Sequence, residues 1–166
     1  IVFRNTNDAT FSEAVALGTV GAAATNYDDT TAVAGFRNYY WVVASNEYGV
    51  AVSLEDAGWR GLAAVSGVAA TDGTSTNTVT VTWTDLNGGE TAYSIWRGES
   101  SATTAAVCVG EATVDATVYD NDDAVPGQQY WYWVRATNSS SSGMGGWGTA
   151  DPGYRKLLVV ADLAAS

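Results

Sequence analysis

Residues 119–138, YDNDDAVPGQQYWYWVRATN, repeat the pattern of residues 27–46, YDDTTAVAGFRNYYWVVASN. The two segments lie 92 positions apart and align without a gap. Gly35 matches Gly127, and a Tyr-Trp-Val triplet occupies the same place in both. Biased composition does not produce spaced identities of this kind. We therefore interpret the chain as one that contains an internal repeat.

The repeat extends in both directions with small changes of offset. Residues 58–60 (GWR) match residues 153–155 (GYR) at an offset of 95, because three extra residues fall in a loop rich in Ser and Gly. Insertions of this size are tolerated in surface loops. The matching predicts three parts, which are the C-terminal part of one repeat, a complete repeat, and the first strand of a following repeat. Their bounds are 1–61, 62–156 and 157–166.

Three segments alternate with the period of a β-strand. They are residues 78–84 (TVTVTWT), 93–97 (YSIWR) and 130–136 (YWYWVRA), and they are rich in β-branched and aromatic residues. Turn-forming residues separate them at the spacing of a β-sandwich, and no stretch shows a helical stripe. A repeat of about 95 residues with about seven short strands predicts an all-β, immunoglobulin-like sandwich.

The order of these motifs resembles tandem fibronectin type III domains, in particular those repeated in large secreted or surface proteins of prokaryotes. The resemblance covers essentially the whole chain, and it implies tandem immunoglobulin-like β-sandwiches. It also implies a tyrosine corner, in which the Tyr130 hydroxyl bonds to nearby backbone. Asn38 stands at the equivalent position of the first repeat. The resemblance rests on Trp83, on residues 93–97, on Pro126-Gly127-Gln128-Gln129-Tyr130, on residues 132–138 and on residues 153–155.

Composition excludes several classes of function. The 166 residues include no His, so His-based nucleophilic catalysis and His-ligated zinc are excluded. With 18 acidic and 7 basic residues the net charge is −11, which disfavours binding to nucleic acid and to anionic membranes. No apolar run approaches the ~18 residues of a membrane span. The single cysteine, Cys108, permits no internal disulfide, and its apolar neighbours predict a buried thiol.

The acidic residues do not form a recognisable catalytic or metal-binding motif. Glu90, Glu99 and Glu111 fall near predicted strand ends with no pocket implied, so a glycosidase pair is not expected. Residues 28–29 and 120–123 are better interpreted as solvated turns than as calcium ligands, since they lack the spacing of a calcium loop. The sequence therefore predicts no enzyme activity, no cofactor and no metal.

Aromatic side chains recur on the outer face of one sheet in both repeats. Two interpretations remain open for this aromatic stripe. It is either a contact surface for a protein, a filament neighbour or a sugar, or it is covered within the chain by neighbouring segments and arginine side chains. The stripe consists of Phe3, Tyr39, Trp41, Trp96, Trp131, Trp133 and Arg135.

The connection between the repeats is short and apolar, without a Pro/Ser or Gly/Ser linker. Such a connection restricts the angle between domains, so successive sandwiches are expected to form a semi-rigid rod. The aromatic residues that recur here are expected to act as interdomain wedges. The junction residues are Trp59 and Arg60 in the first repeat and Tyr154 and Arg155 in the second.

These features favour a non-catalytic structural module of a longer extracellular or cell-surface protein, acting as a spacer or as the unit of a filament, stalk or adhesin. The expected partners are copies of itself or neighbouring repeats, with a surface protein or glycan as a further possibility, but no nucleic acid and no membrane insertion. The alternative is an accessory, carbohydrate-contacting module of a secreted polysaccharide-degrading enzyme.

Overall fold

The computed structural model describes residues 1–86, 88–139 and 143–159. Within them, antiparallel strands form nearly all of the regular structure, and two short 3-10 helices lie at Phe11–Glu13 and Thr103–Ala105. The prediction of an all-β fold is confirmed. The strands are β1 (Val2–Asn5), β2 (Val15–Gly18), β3 (Arg37–Asn46), β4 (Gly49–Val52), β5 (Asp56–Trp59), β6 (Ser66–Ala70), β7 (Val79–Thr84), β8 (Ala92–Gly98), β9 (Val107–Thr113), β10 (Val118–Asn121), β11 (Tyr130–Asn138), β12 (Gly143–Met144) and β13 (Asp151–Gly153).

Strands β6 to β13 form a sandwich of two sheets. In the described part of the chain, one sheet has the order β10-β7-β6 and the other the order β12-β11-β8-β9, with β13 also pairing with β11. Strands β8 and β11 pair over the longest stretch, with Trp133 opposite Trp96 and Val134 opposite Ile95. The alternation predicted from the sequence therefore places one side of each strand between the sheets.

The sandwich core is built from these alternating side chains. Val79, Val81 and Trp83 point inward from β7, while the intervening threonines of that strand point away. The facing sheet contributes Tyr93, Ile95, Tyr132, Val134 and Ala136, all with no exposed surface. The Trp83 and Tyr93 rings meet across the core with centroids 5.3 Å apart.

Strands β1 to β5 form one sheet in the order β2-β1-β3-β4, with β5 paired to β3. No second sheet of described residues faces it. Val134 is fully buried in the sandwich, whereas the equivalent Val42 is 53% exposed. The segment 20–32 covers this face only in part and leaves a cavity of about 630 Å³ over Val2, Tyr40 and Val42. Among the described residues, no strands equivalent to β6 and β7 pack against this sheet.

Cys108 is exposed, because it lies on β9 at the edge of its sheet, where only one neighbouring strand covers the chain. The prediction of a buried thiol was wrong. The predicted first strand of a following repeat, residues 157–166, falls outside the described residues from position 160 onward. Residues 157–159 are exposed and form no strand.

Candidate interaction surfaces and the junction

The aromatic stripe of the sandwich is covered by a loop of the same chain. Trp133 is only 2% exposed, because Trp147 from the loop after β12 packs edge-on against it and against Trp96, with ring centroids 6.1 and 5.3 Å away. The guanidinium of Arg135 stacks on the Trp147 ring, 4.4 Å from its centroid. Its Nε also donates a hydrogen bond of 3.0 Å to the carbonyl oxygen of Gly145.

The first repeat covers its stripe in a similar way with a different residue. Phe11, in the first 3-10 helix, contacts Phe3 and Trp41 with ring centroids 5.3 and 5.7 Å apart, and Trp41 is only 4% exposed. Tyr39 is half-buried and has the Arg37 guanidinium over its ring. Trp131, its equivalent in the sandwich, is half-buried opposite Pro152.

Of the two interpretations left open, the structure therefore supports coverage within the chain for Trp41 and Trp133. The sequence missed Trp147 and Phe11 as covering groups, since both lie in irregular segments that carry no periodic signal. Arg97 is not one of the arginines that cover the stripe. Arg97 points to the opposite face and lies 4.6 Å from the centroid of the Tyr130 ring.

A polar cluster on that opposite face recurs in both repeats. In the sandwich, Arg97 Nη1 donates to Asn121 Oδ1 at 2.8 Å and to Asp123 Oδ1 at 2.6 Å. The Tyr132 hydroxyl donates to the same Asn121 oxygen at 3.0 Å. This bond is buried and joins β11 to β10 across the core.

The first repeat builds the same cluster with the carboxylate moved by two positions. Arg4 Nη1 donates to Asp29 Oδ2 at 2.6 Å and to Thr31 Oγ1 at 3.1 Å, and the Tyr40 hydroxyl donates to Asp29 at 3.1 Å. Asp29 aligns with Asn121, and Thr31 aligns with Asp123. Each repeat therefore holds one arginine and one carboxylate in this place, although on different residues.

These contacts shift the pKa values of the clustered groups. Burial raises the pKa of Asp29, but hydrogen bonds from Thr31, Arg4 and Tyr40 outweigh it and lower the pKa to about 2. The amide of Asn121, together with Arg97, lowers the pKa of Asp123. Burial raises the pKa of Tyr132 to about 12. The acidic turns that contain Asp29 and Asp123 therefore serve as ion-pair partners within the fold.

Among the described residues, the Tyr130 hydroxyl forms no hydrogen bond of the kind that the expected tyrosine corner requires. The Tyr130 ring is buried under Arg97 instead, and the buried bond from Tyr132 to Asn121 joins the two sheets. In the first repeat Asn38 is buried and donates through Nδ2 to the carbonyl of Phe36 at 3.0 Å.

The junction is made by backbone and by one leucine. Gly35 has a φ of +79°, and its N–H donates to the carbonyl of Arg60 at 2.7 Å. A Cβ placed on Gly35 would collide with the carbonyl oxygen of Gly89 and would touch the side chains of Leu62 and Asn138. A Cβ on Gly89 would in turn collide with the carbonyl oxygen of Ala34. The two repeats therefore approach more closely here than side chains would allow.

The predicted junction residues lie at other places. Trp59 is 55% exposed and pairs with Arg37 in the first sheet, at the edge of the cavity. Arg60 Nη1 reaches the carbonyl of Thr30 at 3.4 Å. Tyr154 packs against Gly73 of the sandwich. None of these three side chains forms a hydrogen bond or a ring contact with the other repeat among the described residues.

Arg155 fastens the end of the sandwich to its own loops. Its guanidinium donates four hydrogen bonds of 2.6 to 3.0 Å to the backbone carbonyls of Thr76, Asp122 and Ala124. Thr30 aligns with Asp122, so the weaker bond of Arg60 is the first-repeat counterpart of one of these. The role of Arg155 is thus to hold the sandwich closed.

Two antiparallel sheets packed face to face, with connections of this kind, define an immunoglobulin-like β-sandwich. A two-domain fibronectin type III segment of chicken tenascin superposes with a TM-score of 0.58 and 15% identity, over 71% of this chain and 64% of that one. A titin segment of several domains superposes with a TM-score of 0.50 and 18% identity, over 95% of this chain and 55% of that one. The fold is therefore that of tandem fibronectin type III domains.

A third structure, an Fn3-like protein from Clostridium thermocellum, is 21% identical with a TM-score of 0.48, over 58% of this chain and 96% of that one. No protein-family model and no curated protein matches the chain. The chain spans 64% and 55% of the tenascin and titin segments that it resembles. No helix among the described residues is long and apolar enough to cross a membrane.

Proposed function

We propose that the chain is a non-catalytic structural module of a longer extracellular or cell-surface repeat protein, and that it acts as a semi-rigid spacer or as the unit of a filament. In this proposal residues 62–156 are one complete domain, residues 1–61 are the C-terminal part of the preceding domain, and residues 157–166 begin the next one. The expected partners are neighbouring repeats or copies of the chain.

The close backbone contact between Gly35 and Gly89 carries this proposal. A flexible tether would leave the repeats apart, whereas here the carbonyl oxygen of Gly89 occupies the space of a Gly35 side chain. Leu62 lies against both glycines, so the two repeats are joined by an apolar contact and not by a polar linker. The angle between the repeats is thereby restricted.

The same elements recur at the other end of the sandwich. The N–H of Gly127 donates to the carbonyl of Arg155 at 2.9 Å, as Gly35 does to Arg60. The side chain of Leu157 lies on Gly127, as Leu62 lies on Gly35, and Leu157 remains largely exposed. A contact made once between two repeats is therefore available to the next repeat, which is how an array extends.

A scattering experiment on matched glycine variants tests the spacer. Both Gly88 and Gly89 have a positive φ, so an alanine is strained at either position. In Gly89→Ala the added methyl group also collides with Ala34, whereas in Gly88→Ala it meets no described atom within 4 Å. We expect Gly89→Ala to broaden the interdomain distance distribution in small-angle scattering, and Gly88→Ala to leave it unchanged. Equal profiles for both variants and the wild type would refute a junction held by this contact. Electron microscopy of the native material tests the filament.

The alternative, an accessory module that contacts carbohydrate, draws on Trp131 and Tyr39, which are half-buried at equivalent positions of the two repeats. A flat stacking platform needs several exposed rings, and Trp41 and Trp133 are buried. We therefore favour the spacer. Retention of the wild type on an insoluble polysaccharide, together with loss of retention in Trp131→Ala, would reverse this preference.

A further inference from the structure

Three carboxyl groups converge at one end of the sandwich. Asp85 follows β7, Glu90 precedes β8, and Asp115 lies in the turn between β9 and β10. One carboxylate oxygen of each lies within 4.8 Å of those of the other two. Two oxygens bound to the same Ca²⁺ at about 2.4 Å are at most about 4.8 Å apart, so this spacing is compatible with one shared ion.

Glu90 supplies an independent indication of a ligand. The residue is only 4% exposed, and both of its carboxylate oxygens are buried without a hydrogen-bond partner among the described residues. Burying an unpaired carboxylate is strongly unfavourable, and the neighbouring carboxyl groups of Asp85 and Asp115 add like-charge repulsion. A bound cation relieves both penalties at once.

Asp85 is held in place by the sandwich core. The Tyr93 hydroxyl donates to Asp85 Oδ1 at 2.5 Å and accepts a bond of 3.1 Å from the N–H of Leu86. Asp115 is exposed, which leaves a path from solvent to the site.

We propose that Asp85, Glu90 and Asp115 form a binding site for a calcium ion. The donors are all carboxylate oxygens on irregular loops, which suits a hard cation with flexible coordination, and water entering beside Asp115 completes the shell. The expected dissociation constant is about 10⁻⁴ to 10⁻³ M, the range of extracellular calcium modules. Calcium binding is independent of the spacer function.

A consequence for stiffness does rest on the proposed spacer function. Gly89 lies between Asp85 and Glu90 in the chain and forms the contact with Ala34. An ion bound by residues on both sides of this turn would restrict the turn on which the junction depends. We therefore expect calcium to narrow the interdomain distance distribution.

The binding test uses the whole chain, Ca²⁺ and Tb³⁺. Terbium bound at this site lies near the rings of Tyr93 and Trp83, which transfer excitation energy to it, and Ca²⁺ then displaces it. The test variants are Glu90→Gln and Asp115→Asn. The control is Glu99→Gln, which removes the same charge at the opposite end of β8, more than about 20 Å away.

We expect saturable terbium luminescence and a rise in melting temperature of at least about 3 °C in 5 mM Ca²⁺ for the wild type and Glu99→Gln. Glu90→Gln and Asp115→Asn should lose at least about tenfold in affinity. Without calcium, Glu90→Gln should melt at a higher temperature than the wild type, because it removes the unpaired charge.

Absence of saturable binding in the wild type, or equal binding by Asp115→Asn and Glu99→Gln, would overturn the site. Asp115 is exposed, so its variant tests the site even if Glu90→Gln does not fold. Calcium binding without a change in the interdomain distance distribution would support the site and would contradict only its effect on the junction.

Discussion

Arg4 and Asp29 form an ion pair of 2.6 Å in the first repeat, on the same face where Arg97 meets Asp123 at 2.6 Å in the second. Asp29 does not align with Asp123 but with Asn121. The arginine is therefore retained in the same place, while its carboxylate partner differs by two positions along the chain. In both repeats the arginine therefore has a carboxylate partner, although the two carboxylates lie at different positions of the repeat.

Asp29→Asn should make the stability of the first repeat less dependent on pH. The folded pKa of about 2 lies below the unfolded value of 3.8, so the carboxylate stabilises the fold above about pH 4, and this contribution is lost as the pH falls through about 2. We expect a loss of about 1–2 kcal/mol at pH 7 in urea unfolding and little difference near pH 2. Asp28→Asn, at the exposed neighbour, is the control. A constant deficit at all pH values would contradict this.

Arg155→Met should destabilise the sandwich by about 2–4 kcal/mol, since it removes four charge-assisted hydrogen bonds to backbone carbonyls. Arg60→Met, at the equivalent position, removes a single bond of 3.4 Å and should cost less than about 1 kcal/mol. Equilibrium unfolding in urea measures both variants. Similar losses for the two would show that the extra bonds of Arg155 add nothing.

Tyr132→Phe and Tyr130→Phe separate the two candidate tyrosine contacts. Only the Tyr132 hydroxyl has a buried bond, to Asn121, so its loss should cost about 1–2 kcal/mol, against less than about 0.5 kcal/mol for Tyr130. Because burial raises the folded pKa of Tyr132 to about 12, its contribution is complete below pH 10 and falls as the pH rises through 12. A larger effect of Tyr130→Phe would restore the expected corner.

Trp147→Ala should expose Trp133 and Trp96 to solvent. We expect a red shift of tryptophan fluorescence and a loss of about 1–3 kcal/mol, because two ring contacts and the stacking of Arg135 disappear together. Trp59→Ala, which removes a half-exposed ring outside this group, should change stability by less than about 1 kcal/mol. An unshifted spectrum for Trp147→Ala would mean that the stripe is covered by other groups.

The periodicity of residues 78–84, 93–97 and 130–136 was enough to predict β7, β8 and β11 and the core that they form. Alternation of period two assigns each side chain to one face of a strand, so the burial of Tyr93, Ile95 and Val134 follows from the pattern. The duplicated segment predicted that the two repeats are equivalent, and each of them holds an arginine cluster at the matching place.

What covers each face of a sheet could not be predicted from the sequence. The period-two pattern predicts the face of β11 on which Trp133 lies. It does not predict that Trp147 packs on this face, because Trp147 lies in an irregular loop with no periodic pattern. The exposure of Cys108 depends on the position of β9 at the sheet edge, which a local apolar run does not reveal. Asp85 and Glu90 lie in the loop between β7 and β8, whereas Asp115 lies in the turn between β9 and β10, so the third carboxylate joins the other two only when these strands are packed.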